Sequence, residues 1–401
     1  MLSYYKSRVE VANQFKVSEG TIRNWIKRSL AKELNLELVI VKDKYLITRN
    51  LKNQAIMDNL AQDGKKYKPP QPREVIVVSE SSCSHLTIEQ KTSLIANLEI
   101  DKSISQKFNY LNSGGEHWSK FYQTSLEQGT YSMALSDLYF FENAFNLIND
   151  QFSNFSKINI VDIGVGNGSP ALPLLKKLES LNKLNSYTGL DISQTILDTA
   201  SNTIQSNSIK ARCYYHIIDI ENQSLQSILY SLKYSTSELY PTLVLFLGGT
   251  LTNQSNVIHS GSNVTDGLLP EDRLIVSNSF NSISSIGEKF AFKMSDENKK
   301  LVLSFSESLG LNKRNVNYQM EYNSVSQFTE LNLVLKQDTE IIFSNPNKTL
   351  IFNKGDKIKI LQNKRDTFTT ISKLADDLHL TLKMVIKHPN YNNIMYMMGK
   401  G

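Results

Sequence analysis

Apolar positions recur at helical spacing in two short runs near the N-terminus: Val9, Ala12 and Phe15, then Ile22, Trp25, Ile26 and Leu30. The intervening Lys16-Val17-Ser18 predicts a tight break, with the Ser18 hydroxyl placed to cap the second helix. Residues 36–48, LELVIVKDKYLIT, change to a strand pattern and predict a hairpin turning at Lys42-Asp43-Lys44. A polar helical stretch near 50–62 then gives way to QDGKKYKPPQPR, whose three prolines and one glycine exclude a helix or an inner strand. Residues 1–62 are therefore expected as a small domain and residues 63–80 as a linker.

A different pattern dominates the middle of the chain. Ile158, Ile160, Val161 and Ile163 form the β-branched run of a buried parallel strand, and Gly164-Val165-Gly166-Asn167-Gly168 makes a turn. An amphipathic helix follows through Leu172, Leu174, Leu175 and Leu178. Glycines suit that turn because the backbone must bend sharply and approach a ligand with no Cβ between them. YTGLDIS (187–193) reads as the next strand and ends in Asp191, whose carboxylate can accept both hydroxyls of a ribose. CYYHIIDIEN predicts a third strand ending in Asp219, a candidate acceptor for an adenine amino group. PTLVLFLGGTLTN predicts a fourth strand with a glycine turn at its exit, and LIVSNSF (274–280) a fifth. TNQSNVIHSGSNVTDG (252–267) reads as a mobile loop over the site. From about 285 to 370, the segments VNYQMEYNSVSQFTELNLVLKQDTEIIF and KTLIFNKGDKIKIL alternate as half-buried antiparallel strands do, and TLKMVIKHPNYNNIMYMMGK supplies closing strands.

Composition narrows the class. A chain of 401 residues, 40% hydrophobic and 21% charged, is long enough for two or more cores and has no apolar run of bilayer length. A soluble cytoplasmic protein with no membrane partner is expected, its oligomeric state open. Two cysteines, Cys83 and Cys213, speak against a disulfide framework, and six histidines scattered without ligand spacing predict no metal site. The net charge of +5 matters through its placement, because Arg23, Lys27, Arg28, Lys32, Lys42, Lys44 and Arg49 crowd the N-terminal segment. With the apolar stripe of the second helix turned inward, Thr21, Arg23, Asn24 and Lys27 lie on its outer side; together with Lys44 they are the candidate nucleic-acid contacts.

Three resemblances follow from these segments. VEVANQFKVSEGTIRNWIKRSL resembles the helix-turn-helix of excisionase and MerR-type proteins, and with the hairpin it implies a winged helix-turn-helix that binds DNA. A helical cap or dimerisation domain with the same packing is the alternative. The order D-x-G-x-G-x-G, an acid, a second acid and a strand with a polar exit resembles the class I methyltransferases. That likeness implies a Rossmann-like α/β sheet and S-adenosylmethionine as cofactor, held by Asp162, Gly164, Gly166, Gly168, Asp191, Asp219 and Gly248. Finally, Phe246-Leu247-Gly248-Gly249-Thr250-Leu251-Thr252-Asn253, KFNYLNSGGEHWSKFYQ (107–123) and GTYSMALSDLYFFENAF (129–145) are similar to the histidine-specific methyltransferase family, over roughly 105–400. This implies a lid with its helical part at 81–150, a core at 151–284, an inserted α+β lid domain at 285–370 and closing core strands at 371–401. It also implies that Asn253 orients an acceptor amine and that Tyr131 helps close the cofactor pocket. One departure bears on the substrate. After Gly355-Asp356-Lys357-Ile358, the family's imidazole-gripping glutamate and serine fall at Leu361 and Asn363. Leucine cannot accept a hydrogen bond, so free histidine is not the expected acceptor.

The expected activity is methyl transfer from S-adenosylmethionine to a small amine-type or amino-acid-like acceptor. Such an in-line displacement needs a neutral nucleophile held near the methyl group and water kept out. Two alternatives stay open: a DNA-binding regulator or defence-system component whose cofactor-binding domain is inactive, and a nucleic-acid methyltransferase. Against the latter, Gly248-Gly249-Thr250 stands where an N-P-P-Y-type turn belongs, and neither cysteine follows a proline.

Overall fold

In the computed structural model, residues 5, 7–41, 44–62, 73–234, 239–281, 296–323 and 328–401 are described. The chain divides into two units, Met1–Val75 with Gln337–Glu340 and Ile76–Lys336 with Ile341–Gly401.

In the first unit, Ser7 and Ser18 accept from the backbone N–H groups of Glu10 and Thr21 and so open the helices Arg8–Phe15 and Glu19–Leu30. Lys16, at φ 52°, ends the first helix and makes the expected break. Val11, Ala12 and Phe15 are buried against Ile22, Trp25 and Ile26. Val9 and Leu30, both expected on the inward stripes, are instead 51% and 49% exposed. Val9 lies two residues, about 200°, around the helix from Val11, and Leu30 is the last helical residue, at the end of a short core. Leu38–Val41 pairs antiparallel with Lys44–Ile47, and Lys42 and Asp43 of the expected hairpin turn lie outside the described residues. From the helix Leu51–Gln62, the buried Asn53 amide donates to the carbonyls of Glu37 and Thr48 and ties the hairpin ends to the helix.

The linker expected over 63–80 ends early. Residues 63–72 lie outside the described residues, but Glu74–Val78 is a strand and Glu80–Cys83 a helical turn. Ile76 and Val78 are buried while Val75 and Val77 face out, the period of a half-buried strand, which the adjacent prolines masked in the sequence.

The second unit is built on one sheet. Its strands are β1 (Ile158–Ile163), β2 (Leu184–Asp191), β3 (Arg212–Ile217), β4 (Thr242–Phe246), β5 (Arg273–Ser279), β6 (Thr381–Lys387) and β7 (Asn393–Gly399). They lie in the order β6-β7-β5-β4-β1-β2-β3. The first five run parallel, and β7 pairs antiparallel with both β5 and β6. Their apolar runs follow from burial on both faces. Ile158, Ile160, Tyr187 and Leu245 meet the helices Leu172–Ser180 and Gln194–Ser206 on one side. Val161, Ile163, Leu190 and Val244 meet Leu229, Val264 and Leu374 on the other. Strand order reverses between β1 and β4, so their carboxyl ends flank a crevice. The expected loop over 252–267 contains the helix Val257–Thr265, capped by Asn256, whose side chain accepts from the His259 N–H at 3.0 Å. Its small residues read as loop because they serve close packing: a Cβ on Gly261 would lie 2.7 Å from Leu378.

A third core joins segments two hundred residues apart. The helices Ile88–Ile100 and Asp296–Ser308 and the antiparallel strands Val316–Asn323, Phe328–Leu335 and Lys357–Lys364 share a cluster that includes Leu94, Leu98, Phe108, Phe305, Leu333 and Ile358. Phe108 stacks on Phe305 with ring centroids 5.0 Å apart. Each such fully buried side chain stabilises by about 1.5–3 kcal/mol, so the two segments share one hydrophobic core. The insertion's expected start at 285 falls in 282–295, outside the described residues.

Candidate active site

At the end of β1 the chain turns through Gly164 and Gly166, at φ 67° and 57°. A Cβ at Gly166 would lie 2.5 Å from Trp118 Cη2, and one at Gly164 2.6 Å from Thr250 Cγ2. The backbone is bare here because neighbouring side chains close directly onto it. Gly248, at φ 65° after β4, donates its N–H to Ser277 Oγ at 2.9 Å.

Among the described residues, Gly164, Gly166 and Gly248 line one cleft with Asp162, Asp191 and Asp219. Tyr131 and Asn253 line it too, so the expected cofactor and acceptor residues converge, with one exception. Gly168 is not part of this lining: a Cβ there would approach the Ala200 carbonyl at 3.3 Å, so this glycine serves the close packing of the helix Gln194–Ser206 on the turn. The cleft spans about 1170 Å³ of space, open solvent at its mouth included.

The acids of the cleft are held differently. Asp162 Oδ2 accepts from the buried Tyr187 hydroxyl at 3.0 Å, and burial still pushes its carboxyl up to about 7. Asp191, at the end of β2, accepts from the Ser193 N–H at 3.0 Å and is pushed up to about 7 by burial, against the pull of the Ser193, Ile192 and Gly166 amides. Asp219 lies two residues beyond β3, where the sequence placed it at the strand's end. Both of its oxygens are engaged, by Lys107 Nζ at 3.1 and 2.8 Å and by the Asn222 amide at 2.8 Å. Asn253 Oδ1 accepts from the Lys364 N–H at 3.1 Å, which fixes this side chain between the β4 turn and the strand Lys357–Lys364.

Several cleft residues were not singled out by the sequence. Lys107, only 8% exposed, bridges Asp219 and Glu221 at 2.8 and 2.9 Å. Burial raises the Glu221 carboxyl, but Lys107 and the hydrogen bonds from Ser255 together leave the group below its ordinary value. The helices Ser113–Glu127 and Ser132–Asn143 contribute Trp118, Tyr122 and Asp137. A signal for Asp137 existed: Met133, Ala134, Phe140 and Phe141 mark the buried stripe of its helix, and position 137 falls on that stripe. Leu361 and Asn363 do not line the cleft; Leu361 packs against the third core.

In the first unit, Arg23, Asn24 and Lys27 are exposed on the helix Glu19–Leu30, as expected. Thr21 is half-buried, its hydroxyl 2.8 Å from that of Ser18, so it belongs to the cap. Lys44 opens the second hairpin strand.

Residues 90–399 match a family described as histidine-specific, SAM-dependent methyltransferases. No curated protein sequence gives a significant match. Solved structures resembling this fold include an S-adenosylmethionine-dependent methyltransferase from Clostridium acetobutylicum, with 12% identity, 79% of this chain and 100% of that one covered, and a TM-score of 0.36. Magnesium protoporphyrin IX methyltransferase from Synechocystis, with S-adenosylhomocysteine bound, aligns with 12% identity, 78% and 100% coverage and a TM-score of 0.37. The 1,6-didemethyltoxoflavin-N1-methyltransferase of Burkholderia thailandensis aligns with 9% identity, 71% and 88% coverage and a TM-score of 0.37.

Proposed function

Because the chain belongs to the histidine-specific, SAM-dependent methyltransferase family, we propose that it methylates a small amine-type acceptor in this cleft and that its first unit binds DNA. It is an S-adenosylmethionine-dependent methyltransferase, and the donor set of the cleft suits that cofactor. Asp191 would accept from the ribose hydroxyls, and the bare backbone at Gly164 and Gly166, beside Asp162 and Gly248, would take the aminoacyl chain. Asp219 has its oxygens engaged already, so its part is to position the chain after β3 through Lys107. The bound cofactor supplies an electrophilic methyl group on a sulfonium. Asn253, held by the Lys364 N–H, would orient the acceptor nitrogen, while Tyr131 closes the pocket against water.

The charge of the cleft carries the amine reading. Among its described lining residues are five carboxyl groups, Asp137, Asp162, Asp191, Asp219 and Glu221, and one cation, Lys107, already shared between Asp219 and Glu221. Such a cleft attracts an amine and repels a phosphate, which disfavours a nucleic-acid acceptor. Leu361, partly buried against the third core and outside the cleft lining, offers no acceptor to an imidazole, which disfavours free histidine as well. The test is release of S-adenosylhomocysteine with a panel of small amines and amino acids, histidine and an oligonucleotide. Turnover is expected with at least one amine and is expected to be poor with histidine. Turnover on the oligonucleotide alone would overturn the assignment.

A second reading rests on the exposed face of Arg23, Asn24 and Lys27, the residue types that reach base edges and phosphates. On this reading a winged helix-turn-helix couples DNA affinity to the cofactor. Footprinting with and without S-adenosylmethionine checks it, since coupling between two sites is reciprocal; DNA affinity indifferent to the cofactor would exclude a regulator of this kind.

A further inference from the structure

We propose that Asn278 and Asp366, neither of which lines the cleft, are positioning residues that fix which end of the Asn253 amide is free to meet the acceptor. This rests on the reading above in which Asn253 orients that acceptor, and it names what holds Asn253 itself.

The two ends of an amide side chain are nearly alike in size, so hydrogen-bond partners decide which way it faces. Asn253 Oδ1 is taken by the Lys364 N–H at 3.1 Å, and its Nδ2 stands over Gly249, where a Cβ would lie 2.9 Å away. Lys364 is held in turn. The buried Asn278 amide donates to the Lys364 carbonyl at 3.1 Å and to Asp366 Oδ2 at 2.9 Å. With two acceptors on its nitrogen, Asn278 has only one orientation, and its Oδ1 meets the same bare position at Gly249, 3.1 Å from a Cβ there. Asp366, 1% exposed, also accepts from the Tyr396 hydroxyl at 3.3 Å and the Thr370 hydroxyl at 3.2 Å. Its own N–H and carbonyl pair with the Ser279 carbonyl and the Asn281 N–H, at 2.8 and 2.7 Å. One carboxyl thus ties the end of β5, β7 and the first turn of the helix Phe368–Asp377 to residue 364. Apolar residues would fill such a junction at lower cost, because burial opposes the charged carboxylate and raises it above its ordinary value. A fully satisfied polar network adds a single geometry, and here that geometry ends at Asn253.

Lysine-selective nitrogen labelling of the full chain resolves the Lys364 amide by magnetic resonance, identified by its loss in Lys364→Arg. Its hydrogen exchange is read as a ratio to Lys359 of the same strand, whose N–H donates to the Lys102 carbonyl at 2.9 Å. A general loss of stability leaves that ratio unchanged. In Asn253→Ala the Lys364 amide should exchange about tenfold faster relative to Lys359, and in Asn278→Leu by a similar factor at every pH. Asn278→Asp sets a second carboxyl beside Asp366. Its ratio should match Asn278→Leu at about pH 8.5 and fall back by about threefold at about pH 6, where the pair takes up a proton and one O–H donates again. The other titratable groups there are Lys364 and Tyr396, and burial keeps the Tyr396 hydroxyl protonated throughout. With the amine of the panel that turns over fastest, kcat/KM in Asn278→Asp should follow the same pattern. It should lie about tenfold below the unsubstituted protein at the higher pH and recover in part at the lower, with cofactor affinity by calorimetry within about twofold. A Lys364 ratio unchanged in Asn253→Ala, or in every folded variant at Asn278 and Asp366, would overturn the proposal, as would kcat/KM indifferent to Asn278→Asp. If neither Asn278 variant folds by circular dichroism, Asp366→Asn carries the test, with an expected rise in the ratio of about threefold. If no amine of the panel is methylated, the amine reading fails, and the exchange ratios still decide whether Asn278 and Asp366 hold Asn253.

Discussion

Where β1 and β2 end, the cleft is shaped by backbone: Gly164 and Gly166 sit at positive φ with lid and turn side chains at contact distance, and Asp191 is fixed by the amide of Ser193. Across from them, the helices Ser113–Glu127 and Ser132–Asn143 shape it with side chains alone, Trp118, Tyr122, Tyr131 and Asp137. A wall made of backbone has little freedom, because any side chain added there collides. A wall made of side chains can be retuned one residue at a time. On this account the first wall fixes the cofactor and the second selects the acceptor.

The largest effect is expected where the backbone wall is filled. Gly166→Val brings a branched Cβ against Trp118 at a φ of 57°, and should weaken S-adenosylmethionine binding more than about 100-fold by calorimetry. Binding within a few-fold of the unsubstituted protein would break the comparison. On the acceptor side, Asn253→Ala should lower kcat/KM by roughly 10- to 100-fold, while the cofactor dissociation constant changes far less. Equal losses in both would mean that the walls are not separate.

Placing at position 361 the glutamate that the sequence resemblance implies sharpens the comparison from another side. Leu361 is partly buried against the third core, so Leu361→Glu places a carboxylate beside apolar groups and should cost about 1 kcal/mol of stability, measured in denaturant. It should not confer turnover of histidine; a gain of histidine activity without loss of stability would show that position 361 faces the acceptor.

The smallest effect concerns pH. Burial is the main cause that pushes Asp137, on the lid wall, and Asp162, on the backbone wall, up to about 7. The titratable groups facing Asp137 are Tyr122, Tyr131 and Asp162; both tyrosines are raised by burial and stay protonated near neutrality. A carboxyl whose folded value exceeds its unfolded value near 3.9 favours the fold most below about pH 4, and that contribution is lost as pH rises through about 7. The Tm of the ligand-free chain should therefore fall by a few degrees between pH 5.5 and 8, with a shallower slope in Asp137→Asn. An unsubstituted protein with a flat or rising Tm, or an equal slope in the variant, would contradict it.

The two walls also differ in how readily the sequence disclosed them. Gly164, Gly166 and Asp191 were legible because strand, turn, helix and next strand are contiguous, so spacing alone predicts that they meet at one crevice. The strands of the sheet and the antiparallel strands from 316 to 364 followed from the same local patterns, but the order of the sheet did not. Lys107, Tyr122 and Asp137 were not legible as site residues, because periodicity tells which face of a helix is buried and not whether that face meets a core or a cleft. The polar residue on the apolar stripe at Asp137 was the available clue. Misread segments share a cause too: small residues in the helix Val257–Thr265 and prolines before Glu74–Val78 imitate loops, and only tertiary packing reveals their roles.

The account rests most heavily on Asp191 at the mouth of the crevice. Calorimetric titration of S-adenosylmethionine into the full chain and into Asp191→Ala tests it most directly. One cofactor per chain is predicted for the unsubstituted protein, with affinity lower by roughly 10- to 100-fold in the variant. No binding to the unsubstituted chain, or equal binding by both proteins, would contradict it.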